Sequence, residues 1–145
     1  MKARSESQDT PVLVVDDEQD IRDGCERILS RAGYRVLQAA TGYQAFTLLK
    51  KNRISIILLD LKMPGMDGLD VLKRLREYDP NILVIVITGY ATVETAIEAM
   101  KRGAYDFIAK PFEPDSLRIV VARAAEKVRL LQEAALSEEE RRRTL

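Results

Sequence analysis

Val12-Leu13-Val14-Val15 is a run of four apolar residues that ends in Asp16-Asp17, and Ile56-Ile57-Leu58-Leu59 ends in the same way in Asp60. An apolar run without polar alternation is typical of a strand buried on both faces of a parallel sheet. Each acid therefore follows directly after a buried strand. Since open α/β sheets bind their ligands at the carboxyl ends of their strands, the three carboxylates are candidates for one site.

The rest of the chain repeats an alternation of strand and helix. The predicted strands are 12–15, 34–39, 54–59, 82–87 and 105–109. The segments 34–39 and 105–109 carry polar residues and therefore suit the edges of a sheet. Right-handed crossovers then predict a doubly wound α/β fold with a five-stranded parallel sheet, in the order 2-1-3-4-5. In that order the chain reverses between strands 1 and 3, so Asp16, Asp17 and Asp60 meet.

Capping residues mark the ends of the predicted helices. Thr41, Asp67 and Thr92 can cap the second, third and fourth helices at their N-termini, Gly33 can end the first, and Pro114 begins the fifth. The apolar stripes are Ile21, Cys25, Ile28 and Leu29 in the first helix, Leu69, Leu72 and Leu75 in the third, and Val93, Ala96, Ile97 and Met100 in the fourth.

Composition narrows the possible functions. The 145 residues fit one compact domain, and 23 basic residues balance 23 acidic ones, so no net charge draws the chain to nucleic acid or to an anionic membrane. The single cysteine excludes an internal disulfide and suits a reducing compartment. No apolar run reaches the ~18 residues of a membrane span. We therefore expect a soluble cytoplasmic protein without direct nucleic-acid or membrane binding.

The chain has no histidine, which bears on both metal and catalysis. Zinc, copper and haem sites are disfavoured, and serine-type and cysteine-type triads lack their base. The predicted strands 4 and 5 lead into Thr88 and Lys110 at the same rim as the acids. Carboxylates at such short separations repel one another unless nearby cations compensate their charge. Lys110 supplies one charge, and Mg²⁺ is the ion that an all-oxygen site with few ligands favours.

Four motifs together resemble the receiver domain of two-component response regulators. They are Val14 to Glu18, Leu58 to Gly68, Ile87 to Gly89 and Phe107 to Pro111, and the resemblance covers residues 11–125 in order. It implies a flavodoxin-like fold and a domain that is not an enzyme beyond its own phosphorylation and dephosphorylation. It also implies that Asp60 is the phosphoacceptor, that a sensor histidine kinase is the donor, and that the Lys110–Pro111 bond is cis.

The resemblance also assigns a role to each residue around the phosphoacceptor. Asp17 and Asp60 would bind Mg²⁺ directly together with the backbone carbonyl of Lys62, while Asp16 would act mainly through water. Lys110 would pair with the phosphoryl oxygens, and the Thr88 hydroxyl would donate a hydrogen bond to one of them.

A second group of roles concerns the response to phosphorylation. The resemblance makes Phe107 an aromatic switch that turns inward when Thr88 moves. The fourth helix, fifth strand and fifth helix would form the readout surface and, together with the C-terminal helix, a homodimer. Neither Lys62 nor Tyr90, two residues past Asp60 and Thr88, readily positions a water for attack, so we expect a phosphoryl group that lasts many minutes.

The predicted fifth helix is longer than a receiver domain requires. Residues 1–10 are expected to be disordered and residues 126–145 to form a helical extension or linker. The helix carries a heptad pattern at Leu117, Val121, Ala124, Val128, Leu131 and Ala135. The pattern predicts either a dimer or linker helix or a solvated helix end. A weaker resemblance to enhancer-binding activators, through Ala104 to Phe112, implies an ATPase or other output module beyond it.

Three rival functions can be separated by sequence or by experiment. A phosphatase of the haloacid dehalogenase type would carry an Asp-x-Asp pattern after strand 1, where this chain has Asp16-Asp17-Glu18. A flavodoxin-like cofactor binder would need a phosphate-binding loop there, and an acidic loop repels phosphate. A receiver-like module that is never phosphorylated is the third alternative, and the complete set of site residues argues against it.

Overall fold

The computed structural model describes residues 10–89 and 91–144 of the chain. The predicted disordered segment, apart from Thr10, and the predicted role of Tyr90 lie outside these residues. The main sheet consists of β1 (Val12–Val15), β2 (Val36–Ala39), β3 (Ile56–Leu59), β4 (Leu83–Thr88) and β5 (Asp106–Ala109). The helices are α1 (Gln19–Arg31), α2 (Gly42–Lys51), α3 (Gly68–Tyr78), α4 (Val93–Lys101) and α5 (Pro114–Thr144). Lys62–Met63 pairs antiparallel with Met66–Asp67 in a small hairpin between β3 and α3.

The sheet has the predicted architecture. Its strands are parallel and lie in the order β2-β1-β3-β4-β5, so the predicted fold and the predicted edge strands are confirmed. Every residue of β1, β3 and β4 is buried, as the continuous apolar runs indicated. The predicted strands 3 and 4 begin at Ile54 and Ile82, whereas the strands themselves begin at Ile56 and Leu83. Ile54 and Ile82 are nevertheless buried in the core.

Two apolar cores, one on each face of the sheet, hold the helices. On one face, α2, α3 and α4 pack through residues such as Leu49, Leu72 and Ala99. On the other face, α1 and α5 pack through residues such as Leu29 and Val121. The helices therefore cover both faces of the sheet and leave the carboxyl ends of its strands at one rim.

The predicted caps form at the helix ends. Thr41 Oγ1 accepts a hydrogen bond from the Gln44 backbone N–H at 3.1 Å, Asp67 Oδ1 caps α3 at 3.0 Å, and Thr92 Oγ1 caps α4 at 3.0 Å. Gly33 follows α1 with a φ of 97°, a left-handed conformation that glycine adopts without a Cβ clash. The segment Asp67–Leu69 thus fixes where α3 begins after the loop that carries Asp60.

The apolar stripe predicted for α4 faces outward rather than toward the core. Val93 is 77% exposed, Ile97 50% and Met100 47%, while the small Ala99 is the buried residue of the helix. Ala99 lets α4 lie close to the sheet with its larger apolar side chains turned away. Ala96, Ile97 and Met100, with Lys101, line a shallow groove on this outward side, which we call the α4 face.

Helix α5 extends well beyond the sheet. Its 31 residues correspond to a length of about 46 Å at 1.5 Å per residue. The heptad residues are buried from Leu117 as far as Val128, and Leu131 is 42% exposed. Within the described residues, no helix is both long and apolar enough to cross a membrane.

Two glycines allow a matched test of packing beside the site. A Cβ on Gly68 would overlap the backbone of Leu61, whereas a Cβ on Gly24 in α1 would meet no atom within 4 Å. We expect Gly68→Ala to lower the free energy of unfolding by about 2–4 kcal/mol. Gly24→Ala should raise it by about 0.5–1 kcal/mol, since alanine is the better helix former. Urea unfolding followed by circular dichroism measures both; equal effects would contradict the packing at Leu61.

Candidate functional site: an acidic rim closed by a lysine

Backbone hydrogen bonds that continue the ladders of β1 and β3 position Asp16 and Asp60. The Asp16 backbone N–H donates to Ala39 O at 3.1 Å, and the Asp60 N–H donates to Val15 O at 3.0 Å. Both residues therefore continue the sheet by one position after the strands end. Because β1 and β3 are neighbours in register, Asp16 and Asp60 are side by side, as the topology argument predicted.

Lys110 joins these two acids from the other side of the rim. Its backbone N–H donates to Thr88 O at 2.9 Å, which continues the β4–β5 ladder. Its ammonium donates to Asp16 Oδ2 at 2.6 Å and to Asp60 Oδ2 at 3.1 Å. The Lys110–Pro111 bond is cis, as the resemblance implied. Lysine and aspartate thus meet across 94 residues of chain.

The inner part of the site is removed from water. Asp16 is 2% exposed, Asp60 4% and Thr88 0%. Burial raises the pKa of Asp16, and hydrogen bonds from Lys110 and the Glu18 backbone oppose this without cancelling it. Burial by itself would lower the pKa of Lys110, but its hydrogen bonds to Asp16 and Asp60 outweigh that effect and raise the pKa. Lys110 is therefore held in its charged form between two buried carboxyl groups.

The carboxylates fit a hard divalent cation. One oxygen from each of Asp16, Asp17, Glu18 and Asp60 lies within 4.8 Å of the others. Opposite ligands of an octahedral Mg²⁺ are about 4.2 Å apart, because each Mg–O distance is about 2.1 Å. The donors are all oxygens, and Asp17 and Glu18 are exposed at the mouth, where an ion could enter. The residues present fit Mg²⁺.

Glu18 was missing from the predicted site residues. Its carboxylate belongs to the same cluster, and its Oε1 lies 3.8 Å from Lys110 Nζ. The signal that could have found it was its position directly after Asp16-Asp17, at the end of the short loop that leads into α1. Strand periodicity did not identify it, because Glu18 lies two residues beyond the rim position.

The remaining predicted residues lie around this cluster. The Lys62 backbone N–H donates to Asp60 Oδ1 at 3.0 Å, so the hairpin contacts the acid directly, and the proposed carbonyl ligand stays a prediction. Thr88 lies at the carboxyl end of β4. Phe107 is half-buried on β5 and packs against the core beneath α2, α3 and α4.

Residues 12–122 match the response regulator receiver domain. The chain belongs to this family. A putative NtrX-like response regulator from Rickettsia bellii is 43% identical over 124 residues, which cover 84% of this chain and 26% of that protein. The C4-dicarboxylate transport transcriptional regulatory protein DctD from Rhizobium meliloti is 38% identical over 122 residues, with 84% and 26% covered. The chain thus spans about a quarter of the length of these curated relatives.

A solved structure of an isolated receiver domain also matches this chain. The solution structure of the beryllofluoride-activated NtrC4 receiver domain dimer has a TM-score of 0.77 and is 38% identical. The match covers 81% of this chain and 98% of that one. Together the matches confirm the recognised family, and NtrX-like and DctD relatives agree with the resemblance to enhancer-binding activators. Membership supports a regulatory phosphoacceptor role, and receiver domains bind Mg²⁺ in an acidic pocket.

Removing the lysine tests how the acids are balanced. We expect Lys110→Met to lower the free energy of unfolding without Mg²⁺ by about 3 kcal/mol, because it leaves buried carboxylates unpaired. Added Mg²⁺ should restore part of the loss, since a divalent ion can replace the missing charge. Urea unfolding with EDTA and with Mg²⁺ measures both effects. Lys73→Met, which removes an exposed lysine from α3, should stay within about 0.5 kcal/mol of the wild type.

The pH dependence of the same variant has a defined sign. The pKa of Lys110 is raised above its ordinary value of 10.5. The folded state therefore binds this proton more tightly than the unfolded chain, and the resulting stabilisation is complete below pH 10.5 and lost as pH rises through the raised pKa. Lys110→Met should lack this part of the alkaline loss, and an identical alkaline profile would contradict the pairing.

Proposed function

We propose that the chain takes a phosphoryl group from the histidine of a sensor kinase onto Asp60 in a Mg²⁺-dependent reaction. The observation that carries this proposal is the contact of one largely buried lysine with two buried carboxylates at the rim, beside two exposed acids. That arrangement provides a nucleophile, a cation for the phosphoryl oxygens and a set of oxygen donors in one place. The receiver family supplies the reaction class.

Each contact of Asp60 has a consequence for the reaction. The Lys62 N–H and the Lys110 ammonium bind different oxygens of the carboxylate and hold its plane. One of these oxygens forms a bond to phosphorus while the bond from phosphorus to the donor histidine nitrogen breaks. Lys110 can then turn from the acids to the phosphoryl oxygens. A bound Mg²⁺ would lower the repulsion between the carboxylate and the anionic phosphoryl group.

The response to phosphorylation would be transmitted from Asp60 through β4 and β5. Thr88, at the end of β4, is the proposed hydroxyl donor to the phosphoryl group, and Phe107 on the neighbouring strand is the proposed aromatic switch. Val86 pairs with Phe107 and Thr88 pairs with Ala109 in the ladder. A shift of Thr88 toward Asp60 therefore acts on the strand that carries Phe107.

The readout surface that we propose consists of α4, β5 and α5. Helix α4 supports it, because Ile97 and Met100 in the α4 face, and Val93 on the same helix, expose apolar surface that a second chain could cover. The NtrC4 receiver, of similar sequence, is described as a dimer after activation with beryllofluoride. We propose a homodimer through this surface and α5.

The organisation of the chain follows from the same proposal. Residues 11–125 would be the receiver domain, and residues 126–145, described as far as Thr144, would be a helical extension or linker toward an output module. The support is that α5 continues to Thr144 as one helix while its heptad residues become exposed after Val128. A role in regulating transcription, as in the name of the DctD relative, belongs to this proposal.

Phosphorylation with a small-molecule donor is the direct test. Incubation with acetyl phosphate and Mg²⁺ should add one phosphoryl group to the intact protein, detected by mass spectrometry, and EDTA should prevent it. Asp60→Asn should abolish the adduct, whereas Asp20→Asn, which removes an exposed acid outside the cluster, should leave it unchanged. An undiminished adduct on Asp60→Asn, or none on the wild type, would show that the assignment is wrong.

The lifetime of the phosphoryl group is a second expected property. Lys62 stands where an amide or carboxylate could hold an attacking water, and a lysine does this poorly. We expect the wild-type adduct to decay over many minutes after the donor is removed, and Lys62→Asn to shorten its half-life several-fold. Lys51→Asn, on the exposed side of α2, serves as the control. Decay of the wild-type adduct within seconds, without a phosphatase, would contradict the expectation.

A further inference from the structure

Glu18 occupies a helix-capping position without acting as a cap. It is the N-cap residue of α1, with extended backbone angles (φ −88°, ψ 114°), and its side chain accepts no capping hydrogen bond. Capping favours short side chains such as serine, threonine, aspartate and asparagine. The longer glutamate carries its carboxylate away from the helix end. Capping therefore does not explain why the position is acidic.

The backbone of Glu18 is tied to the site even though its side chain is exposed. Its N–H donates to Asp16 Oδ1 at 2.9 Å, and this is the oxygen of Asp16 that does not bind Lys110. Asp16 thus fixes the backbone position of Glu18. The Glu18 side chain is 63% exposed, against 2% for Asp16, so it stands at the mouth of the rim.

The carboxylate of Glu18 nevertheless points toward the inner acids. Its Oε1 lies 3.8 Å from Lys110 Nζ, and one of its oxygens lies within 4.8 Å of an oxygen on each of Asp16, Asp17 and Asp60. An acceptor that binds a cation through one of the cation's own waters lies about 4–5 Å from the ion, because Mg²⁺ keeps several waters at about 2.1 Å. An oxygen this close to the inner acids, on a side chain that is itself 63% exposed, can reach the waters of an ion that those acids hold.

We propose that Glu18 is an outer carboxylate of the Mg²⁺ site, which accepts hydrogen bonds from metal-bound water and strengthens ion binding. The proposal rests on the proposed function, since it concerns the same ion. Glu18 acts here as a positioning residue: the inner acids bind the ion, and Glu18 orients its waters and adds negative charge at the mouth. The negative charge of Glu18 also attracts the Lys110 ammonium. Lys110 offsets the repulsion among the acids only in part, and a bound ion would remove the remainder.

Glu18→Gln separates this role from a structural one. The variant keeps the length of the side chain and removes its charge. We expect the Mg²⁺ affinity, measured by isothermal titration calorimetry on the unphosphorylated protein, to fall roughly fivefold, as expected for a unit charge about 5 Å from a divalent ion at physiological salt. Asp20→Asn removes the same charge two residues away, outside the cluster, and should change the affinity less than twofold.

Stability in EDTA provides the second measurement. Without metal, Glu18 is one of four clustered carboxylates that outnumber the cations described beside them, Lys110 and Arg22, so Glu18→Gln should unfold at the same temperature as the wild type or higher. A side chain that merely supports the fold would give a lower unfolding temperature in EDTA, and that result would overturn the proposal. Weakened Mg²⁺ binding with retained stability in EDTA supports it.

The failures of the two proposals are distinguishable. If wild-type protein binds Mg²⁺ and Glu18→Gln binds it within twofold, the role of Glu18 is wrong and the phosphoacceptor function stands. If the wild type itself shows no saturable Mg²⁺ binding, the metal site and both proposals fall together. An equal loss of affinity in Asp20→Asn and Glu18→Gln would reduce the effect to general surface charge and also overturn the specific role.

Discussion

The contact of the Lys110 ammonium with Asp16 and Asp60 is the interaction on which the site depends. It links the end of β5 to the ends of β1 and β3 and places one positive charge between two buried acids. A buried carboxylate without a partner would protonate or disrupt the rim. Lys110, together with the Arg22 guanidinium that donates to the Asp16 backbone oxygen at 2.7 Å, brings fewer positive charges than the four acids of the cluster, so the rim has room for further positive charge. That residual imbalance is what a divalent ion can relieve.

Much of this arrangement was predictable because short-range patterns decide it. The apolar runs before Asp16 and Asp60 give the strand ends, and the handedness of βαβ crossovers gives the strand order. Once the strand order is known, it predicts which strand ends are neighbours, and no measured distance is needed. The caps at Thr41, Asp67 and Thr92 are equally local, since each depends on a backbone N–H two or three residues away.

Two features were beyond that reasoning for different reasons. The stripe of α4 has a helical period, but periodicity shows only that one side is apolar and not whether the core or another surface covers it. The small Ala99 faces the sheet, and the large side chains at Val93 and Ile97 face outward. Glu18 was missed because its place depends on the course of a loop, in which Asp16 accepts its backbone N–H.

Strands β4 and β5 connect the acidic rim, which contains Glu18, with helix α4. The backbone hydrogen bond from Lys110 to Thr88 joins the residue after β5 to the last residue of β4, so the cation of the site and the hydroxyl at its edge are close neighbours. Phe107 lies three residues before Lys110 on the same strand and packs on the core that holds α4. Under the proposed function, a change in charge at Asp60 would act first on Lys110, whose ammonium contacts it, and through Lys110 on Thr88. Under the proposed function, β5 and Phe107 are the part of the fold that would connect the buried site with the α4 face.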